Sequence, residues 1–264
     1  MIPVKKDIVA ELQRNILLWE GFKPLAAGKT VFAGLGEVEA AFPNGVFPTG
    51  TIHEFMCTEA EHAAACNGFI SALLSTLMSN GGACMWIGAS RKLFAPALAV
   101  FGITPDRIIF ADLKKEKDVL WAAEEALKCS GLAAVVAEVQ TIDFSGSRRL
   151  QLAVEQSRVT GFILRSNPRR VTATACAARW KILPLPSQLE EDMPGVGFPR
   201  WEVELLKVRN GMPGSWQLEW SGERFNVLSL ESKVLSLESD VLSPKSKVLS
   251  LKSEDMQMDS RLGA

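Results

Sequence analysis

Apolar positions along this chain alternate between two kinds of period, and the alternation itself predicts the fold class. Short continuous apolar runs read as buried strands: Gly50-Thr-Ile-His-Glu-Phe-Met56, Ala83-Cys-Met-Trp-Ile87, Arg107-Ile-Ile-Phe-Ala111, Leu132-Ala-Ala-Val-Val-Ala137 and Gly161-Phe-Ile-Leu-Arg165. Between them lie stretches of helical period. Phe69, Leu73, Leu74 and Leu77 mark one, over residues 63–78; Asp118 to Cys129 and Ser147 to Arg158 mark two more. Strands that are apolar on both faces, separated by helices, indicate a parallel sheet covered on each side.

The pattern changes near the C-terminus. Trp201, Val203 and Leu205 alternate with charged residues, Asn210-Gly211 makes a turn, and Trp216, Leu218 and Trp220 alternate on the return. This predicts a half-buried antiparallel hairpin forming an edge on the parallel sheet. Residues 227–264 carry four seven-residue units beginning at Val227, Val234, Val241 and Val248. Their serines and Pro244 argue against a coiled coil, so a largely disordered extension is expected. At the other end, Ile8, Leu12 and Ile16 form an amphipathic helix within residues 1–30, which close on a Gly/Pro/Ala-rich connector. The expected organisation is therefore 1–30, a core over 31–226, and a tail over 227–264.

Composition narrows the function classes. Of the 264 residues, 47% are hydrophobic and 22% charged, with a formal net charge of −1, so any nucleic-acid surface must be local. Five scattered cysteines (Cys57, Cys66, Cys84, Cys129, Cys176) form no Cys-x-x-Cys pair, and His53 and His62 are the only histidines. No zinc-type spacing can be assembled from them; buried, reduced thiols are expected. No signal peptide and no apolar run long enough to span a membrane are present, so a cytoplasmic location is expected.

Two segments invite a phosphate-binding reading. Gly28-Lys29-Thr30 resembles the end of such a loop, but Lys23 stands where the first glycine belongs, and Val31 to Gly36 is not helical. It is a decoy. The true position lies between strand 51–56 and helix 63–78, where the sequence is Cys57-Thr-Glu-Ala-Glu-His-Ala-Ala-Ala65. It has no glycine for close backbone approach and no lysine to balance phosphate charge, while Glu59 and Glu61 repel an anion. His62 reads as a partly exposed structural histidine. Glu138, at the end of strand 132–137, stands where a metal-organising carboxylate would belong, although a single acid there is also a common solvent-facing choice. No catalytic, cofactor or metal site is expected.

Residues 148–181 hold Arg148, Arg149, Arg158, Arg165, Arg169, Arg170, Arg179 and Lys181 against one acid, Glu155. Asn167-Pro168-Arg169-Arg170 presents two guanidinium groups on a short turn suited to phosphate contacts. An acidic protein surface or plain solvation explains the same charges. Arg148 and Arg149 open an amphipathic helix and read as surface or interface residues. Arg165, Arg169, Arg170, Arg148 and Arg149 are the candidate DNA or partner contacts.

Together these segments resemble known proteins. Phe32 to Glu54, through Pro43-Asn-Gly-Val-Phe-Pro-Thr-Gly50, is similar to the entrance of the RecA core. Three further segments resemble the ImuA family of RecA/SulA-related bacterial proteins. They are Leu120-Trp-Ala-Ala-Glu-Glu-Ala-Leu-Lys-Cys-Ser-Gly131 with its following strand, Ser147-Arg-Arg-Leu-Gln-Leu-Ala153, and the stretch from Pro199 to Trp220 that opens Pro199-Arg-Trp-Glu-Val-Glu204. The resemblance implies an α/β, RecA-like P-loop-type core with a mostly parallel sheet, an antiparallel C-terminal hairpin and a degenerate P-loop. It implies a non-catalytic accessory role in SOS, DNA-damage-induced translesion synthesis and mutagenesis. The implied partners are an ImuB-like Y-family polymerase relative, an error-prone C-family polymerase, and further RecA and DNA. Ala63 and Ala64 stand where RecA has its phosphate-loop lysine and threonine, and Ser90, then Arg91 and Lys92, where it has its catalytic glutamate. The activity of RecA is not implied. A divergent DNA-binding RecA-like ATPase and a SulA-like inhibitor of cell division remain alternatives.

Overall fold

The computed structural model describes residues 33–89, 93–166, 171–188 and 195–228. The expected N-terminal helix, the Gly28-Lys29-Thr30 segment and nearly all of the repeat tail lie outside them.

Nine strands form one sheet: β1 Ile52–Cys57, β2 Ala83–Gly88, β3 Ile108–Asp112, β4 Leu132–Val139, β5 Thr160–Ser166, β6 Ala178–Leu185, β7 Arg200–Val208, β8 Gly214–Ser221 and β9 Arg224–Leu228. Their spatial order is β3-β2-β4-β5-β1-β6-β7-β8-β9. The first six are parallel to their neighbours, and β6–β7 and β7–β8 are antiparallel. Three α-helices are described: α1 Ala60–Leu77, α2 Glu116–Leu127 and α3 Phe144–Ser157. The α/β architecture with a mostly parallel sheet is the one the alternating periods predict.

The two faces bury different material. One face packs against α1 and the 3-10 segment Gly36–Ala41, and is rich in aromatic side chains. Phe55 stacks on Trp180 at 6.0 Å, Phe69 meets Trp201 edge-on at 5.8 Å, and Trp220 meets Phe225 at 5.0 Å. The other face packs under α2 and α3 through Ile52, Ile87, Val119, Leu127, Val135, Val154 and Ile163, nearly all aliphatic. Each fully buried large side chain contributes about 1.5–3 kcal/mol of transfer free energy.

Helix starts lie earlier than the periodicity suggests. Asp143 caps α3 by accepting a hydrogen bond from Gly146 N, adding a turn before Ser147. Two strands have no counterpart in the periodic reading, β6 and β9. The predicted hairpin is β7–β8, but it is not the edge. β6 joins it to the parallel strands and β9 lies beyond it. In β6, Ala178, Trp180 and Ile182 are buried while Arg179 and Lys181 are not, so the alternation was present but masked by its cations.

His53 has a single tenable protonation state. It is fully buried, stacks on Phe47 at 4.4 Å, and receives the Trp180 indole N–H at Nδ1, 3.3 Å away. An indole can only donate, so Nδ1 accepts and Nε2–H donates to the Pro48 carbonyl at 2.8 Å. Burial pushes its pKa from 6.5 down to about 4. Unfolded chains take up the proton near pH 6.5 and the folded protein does not. This stabilisation is complete above pH 6.5 and falls as pH drops towards 4, by on the order of 3 kcal/mol in all. Urea denaturation at pH 7 and pH 5 is expected to show about 2 kcal/mol of that loss in the parent, and a flatter dependence over this interval in His53→Gln.

Candidate functional site

The phosphate-loop position is shorter than the sequence suggests. β1 ends at Cys57 and α1 begins at Ala60, so only Thr58 and Glu59 connect them. The expected loop 57–65 is corrected to a two-residue connector. Cys57 belongs to the strand and is buried, while Glu61, His62, Ala63 and Ala64 lie in the first turns of the helix. Two residues cannot wrap backbone N–H groups around a phosphate, which takes a longer, glycine-bearing loop. Glu59 occupies the N-cap and Glu61 the first turn, so carboxylates complement the helix dipole where an anion would otherwise sit. His62 Nδ1 lies 2.8 Å from Thr58 Oγ1, bracing the connector.

Glu138 is engaged. It lies within β4 on the aromatic face, and its Oε1 accepts the Trp86 indole N–H from the next strand at 2.8 Å. A Cβ added to Gly88 would stand 3.3 Å from Glu138 Oε2, so the neighbouring backbone also closes on this carboxylate. Ser90, Arg91 and Lys92 lie outside the described residues.

The predicted cations that lie among the described residues do not form one surface. Arg148 is exposed, 4.0 Å from Glu155, and Arg149 is exposed and paired with Glu124 of α2. Both are surface residues of α3, as their helical position suggests. Arg169 and Arg170 lie outside the described residues. Arg165 is a correction: it is 2% exposed, and its Nη1 donates to Glu54 Oε1 at 2.8 Å. It sits inside β5 on the helix-covered face of the sheet, where neither DNA nor a partner can reach it.

Other chemistries find little support. Cys57, Cys66, Cys84 and Cys176 are buried as expected, whereas Cys129 is exposed. Burial pushes the Cys176 thiol up to about 12, and Cys84 higher still, which suppresses the nucleophilic thiolate. Among the described residues no group of three or more His, Cys, Asp or Glu is placed to hold a metal ion, and no helix is long and apolar enough to cross a membrane.

No family model matches the sequence. The chain is 37% identical over 198 residues to Protein ImuA of Caulobacter vibrioides, in each of two strains. The match spans 70% of this chain and 81% of that protein. This chain belongs to the ImuA family. Among solved structures, a KaiC-like protein from the hyperthermophilic archaeon Pyrococcus horikoshii aligns with a TM-score of 0.49 at 12% identity. That alignment covers 76% of this chain and 99% of the other. The strand order shows the α/β class with a mostly parallel sheet, flanking helices and antiparallel C-terminal strands.

In this ImuA-family chain the most concentrated polar chemistry lies around Glu54, a residue the motif reading passed over. Glu54 is fully buried in β1, flanked by β5 and β6. Its Oε1 accepts from Arg165, and its Oε2 accepts from Arg179 Nε and Thr174 Oγ1, all at 2.8 Å. Arg179 also reaches the Thr172 carbonyl at 2.6 Å. The segment from Thr172 to Ala177 is thereby pinned to the sheet, with Ala175 N donating to Ser147 Oγ of α3 and Ala177 N to the Ile52 carbonyl. The available signal was an acid inside an otherwise apolar strand, which demands a buried partner.

Glu54→Gln keeps the shape of this centre but leaves two guanidinium charges facing a neutral amide. Removing one member of a buried ion pair costs about 3–5 kcal/mol. Chemical denaturation is expected to show a loss of that size for Glu54→Gln, and far less than about 1 kcal/mol for Glu124→Gln at the exposed pair with Arg149.

Proposed function

We propose that this protein is a non-catalytic RecA-like accessory protein in SOS, DNA-damage-induced translesion synthesis and mutagenesis. In this reading it is an adaptor for an ImuB-like Y-family polymerase relative and an error-prone C-family polymerase. The observation that carries the non-catalytic part is the two-residue connector between β1 and α1. A nucleotide site at that junction requires backbone donors and a lysine, and the chain offers Glu59 and Glu61 instead. The engagement of Glu138 by Trp86 supports the same reading, because a carboxylate accepting a fixed indole N–H is less available to order a metal or a water. The ImuA relationship supports the pathway.

A RecA-shaped core without phosphate chemistry still offers a rigid, helix-flanked sheet on which partner surfaces can be displayed. RecA itself and DNA are further partners in this reading, and the protein acts without a cofactor in the cytoplasm.

The test has two arms. Isothermal titration of the purified protein with ATP and magnesium is expected to give no saturable binding at millimolar nucleotide. Co-expression with the ImuB-like protein of the same genome is expected to yield a stable complex, and deletion of the gene to lower ultraviolet-induced mutation frequency. Tight ATP-Mg binding with turnover abolished by Glu138→Gln would replace this reading with a divergent ATPase.

A further inference from the structure

Charges on the open face of β6, β7 and β8 are distributed unevenly. Towards one end they are paired: Lys181 with Glu204 at 3.1 Å, and Arg200 with Glu219 at 2.6 Å. Towards the other end, beside the Thr172–Ala177 segment, Arg179 pairs with the buried Glu54 at 2.8 Å, while Lys207 and Arg209 bond backbone carbonyls. Arg179 stands directly opposite Lys207 in the antiparallel register, a like-charge cross-strand pair. Like charges directly opposite are destabilising; Glu54 compensates Arg179, and Lys207 turns to the Thr174 carbonyl.

Four cations from three consecutive regions converge there: Arg165, Arg179, Lys207 and Arg209. Among the described residues' ion pairs, only Glu54 faces them, and it already serves both Arg165 and Arg179. Lys207 Nζ donates to the Thr174 carbonyl and Arg209 Nη2 to the Ala175 carbonyl, each at 3.0 Å. These bonds fix the direction of both side chains while using one of the three lysine donors and one of the five arginine donors. The cations are therefore held in place with donors to spare, a pre-organised arrangement that lowers the ordering cost of binding. Lys207 is exposed and Arg209 half-buried, so both can be reached from solvent.

We propose that Lys207 and Arg209, at the β7 end beside Thr172–Ala177, contact the sugar–phosphate backbone of single-stranded DNA. This rests on the accessory role in DNA damage proposed above and names a ligand for it. Two cations held side by side at one strand end, with no loop enclosing them, suit an extended polyanion better than a compact phosphate, which needs an enclosing loop. The contact is electrostatic and independent of sequence, because it engages phosphates and not base edges.

The probe is a fluorescein-labelled oligo(dT), followed by fluorescence anisotropy at several salt concentrations with the full chain. The parent is expected to bind with a steep inverse salt dependence. Lys207→Ala with Arg209→Ala is expected to weaken binding by about tenfold at low salt, and to flatten the log–log slope by roughly the 0.7 per lost phosphate contact of single strands. Arg209→Lys restores charge and is expected to recover part of the affinity. Lys181→Ala, whose lysine is already matched by Glu204, is expected to bind like the parent, and circular dichroism melting checks that each variant folds. Absence of salt-dependent binding by the parent overturns the proposal, as does an equal loss in Lys181→Ala. If the double variant binds DNA normally but no longer joins the ImuB-like protein, the surface belongs to an acidic protein partner and the DNA assignment fails. A parent that joins that protein yet ignores DNA defeats this inference alone and leaves the adaptor reading intact.

Discussion

A carboxylate buried in the middle of the sheet must be answered by cations, and much of the polar architecture follows from how Glu54 is answered. Desolvating a charge costs several kcal/mol even after relaxation, so it persists only where hydrogen-bonding partners surround it. The sheet order supplies them. β1 lies between β5 and β6, so Arg165 and Arg179 reach the same carboxylate from opposite sides. Those two residues precede and follow residues 167–170 in the chain, and Thr174 adds a third bond from the returning segment. One acid therefore ties together the departure from β5 and the arrival at β6. Because side chains alternate across the pleat, the same strand that offers Arg179 to Glu54 sends Trp180 to the opposite face, against Phe55 and His53. β6 couples the charged centre on one face to the aromatic core on the other.

The packing of α1 rests mainly on its turns downstream of the β1–α1 connector. Phe69, Ile70, Leu73 and Leu74 of α1 are all fully buried, while Ala63, Ala65 and Cys66 nearer its N-terminus add smaller contacts to the same core. Its first turns carry Glu61, Ala63 and Ala64 behind the Glu59 N-cap. At the ends of β4 and β1, Glu138 accepts an indole N–H and Cys57 is buried in the hydrophobic core. Fold and site are separable here because the energy of the fold resides in the two apolar layers.

The parts legible in the sequence are those governed by local period. The five core strands and three helices follow from apolar runs and 3.6-residue spacing, and the absence of glycine and lysine around residues 57–65 is plain from residue types. The length of the connector was not legible, since Ala60, Ala63, Ala64 and Ala65 are as compatible with helix as with the end of a loop. β6 was obscured because Arg179 and Lys181 suggest a basic surface, while the buried alternation of Ala178, Trp180 and Ile182 is only three positions long. Arg165 was misplaced for a related reason. A lone arginine at the end of an apolar strand looks like a surface residue until its partner, 111 positions earlier in the chain, is known to be a buried acid.

Charge is the property that a linear reading resolves least well. The whole chain is nearly neutral, and the arginine-rich stretch 148–181 looks like one basic patch when counted along the sequence. In space it separates into groups with different physics. Arg148 and Arg149 lie beside acids on the helical layer, Arg165 is neutralised inside the sheet, and Lys181 is matched by Glu204. What is left over is not in that stretch alone. Arg179 is neutralised by Glu54, and Lys207 lies across from it in β7, a juxtaposition created by antiparallel pairing and invisible to any window along the chain. Uncompensated charge on a folded surface is a property of register, so the face that merits attention is set by strand pairing and not by local arginine density.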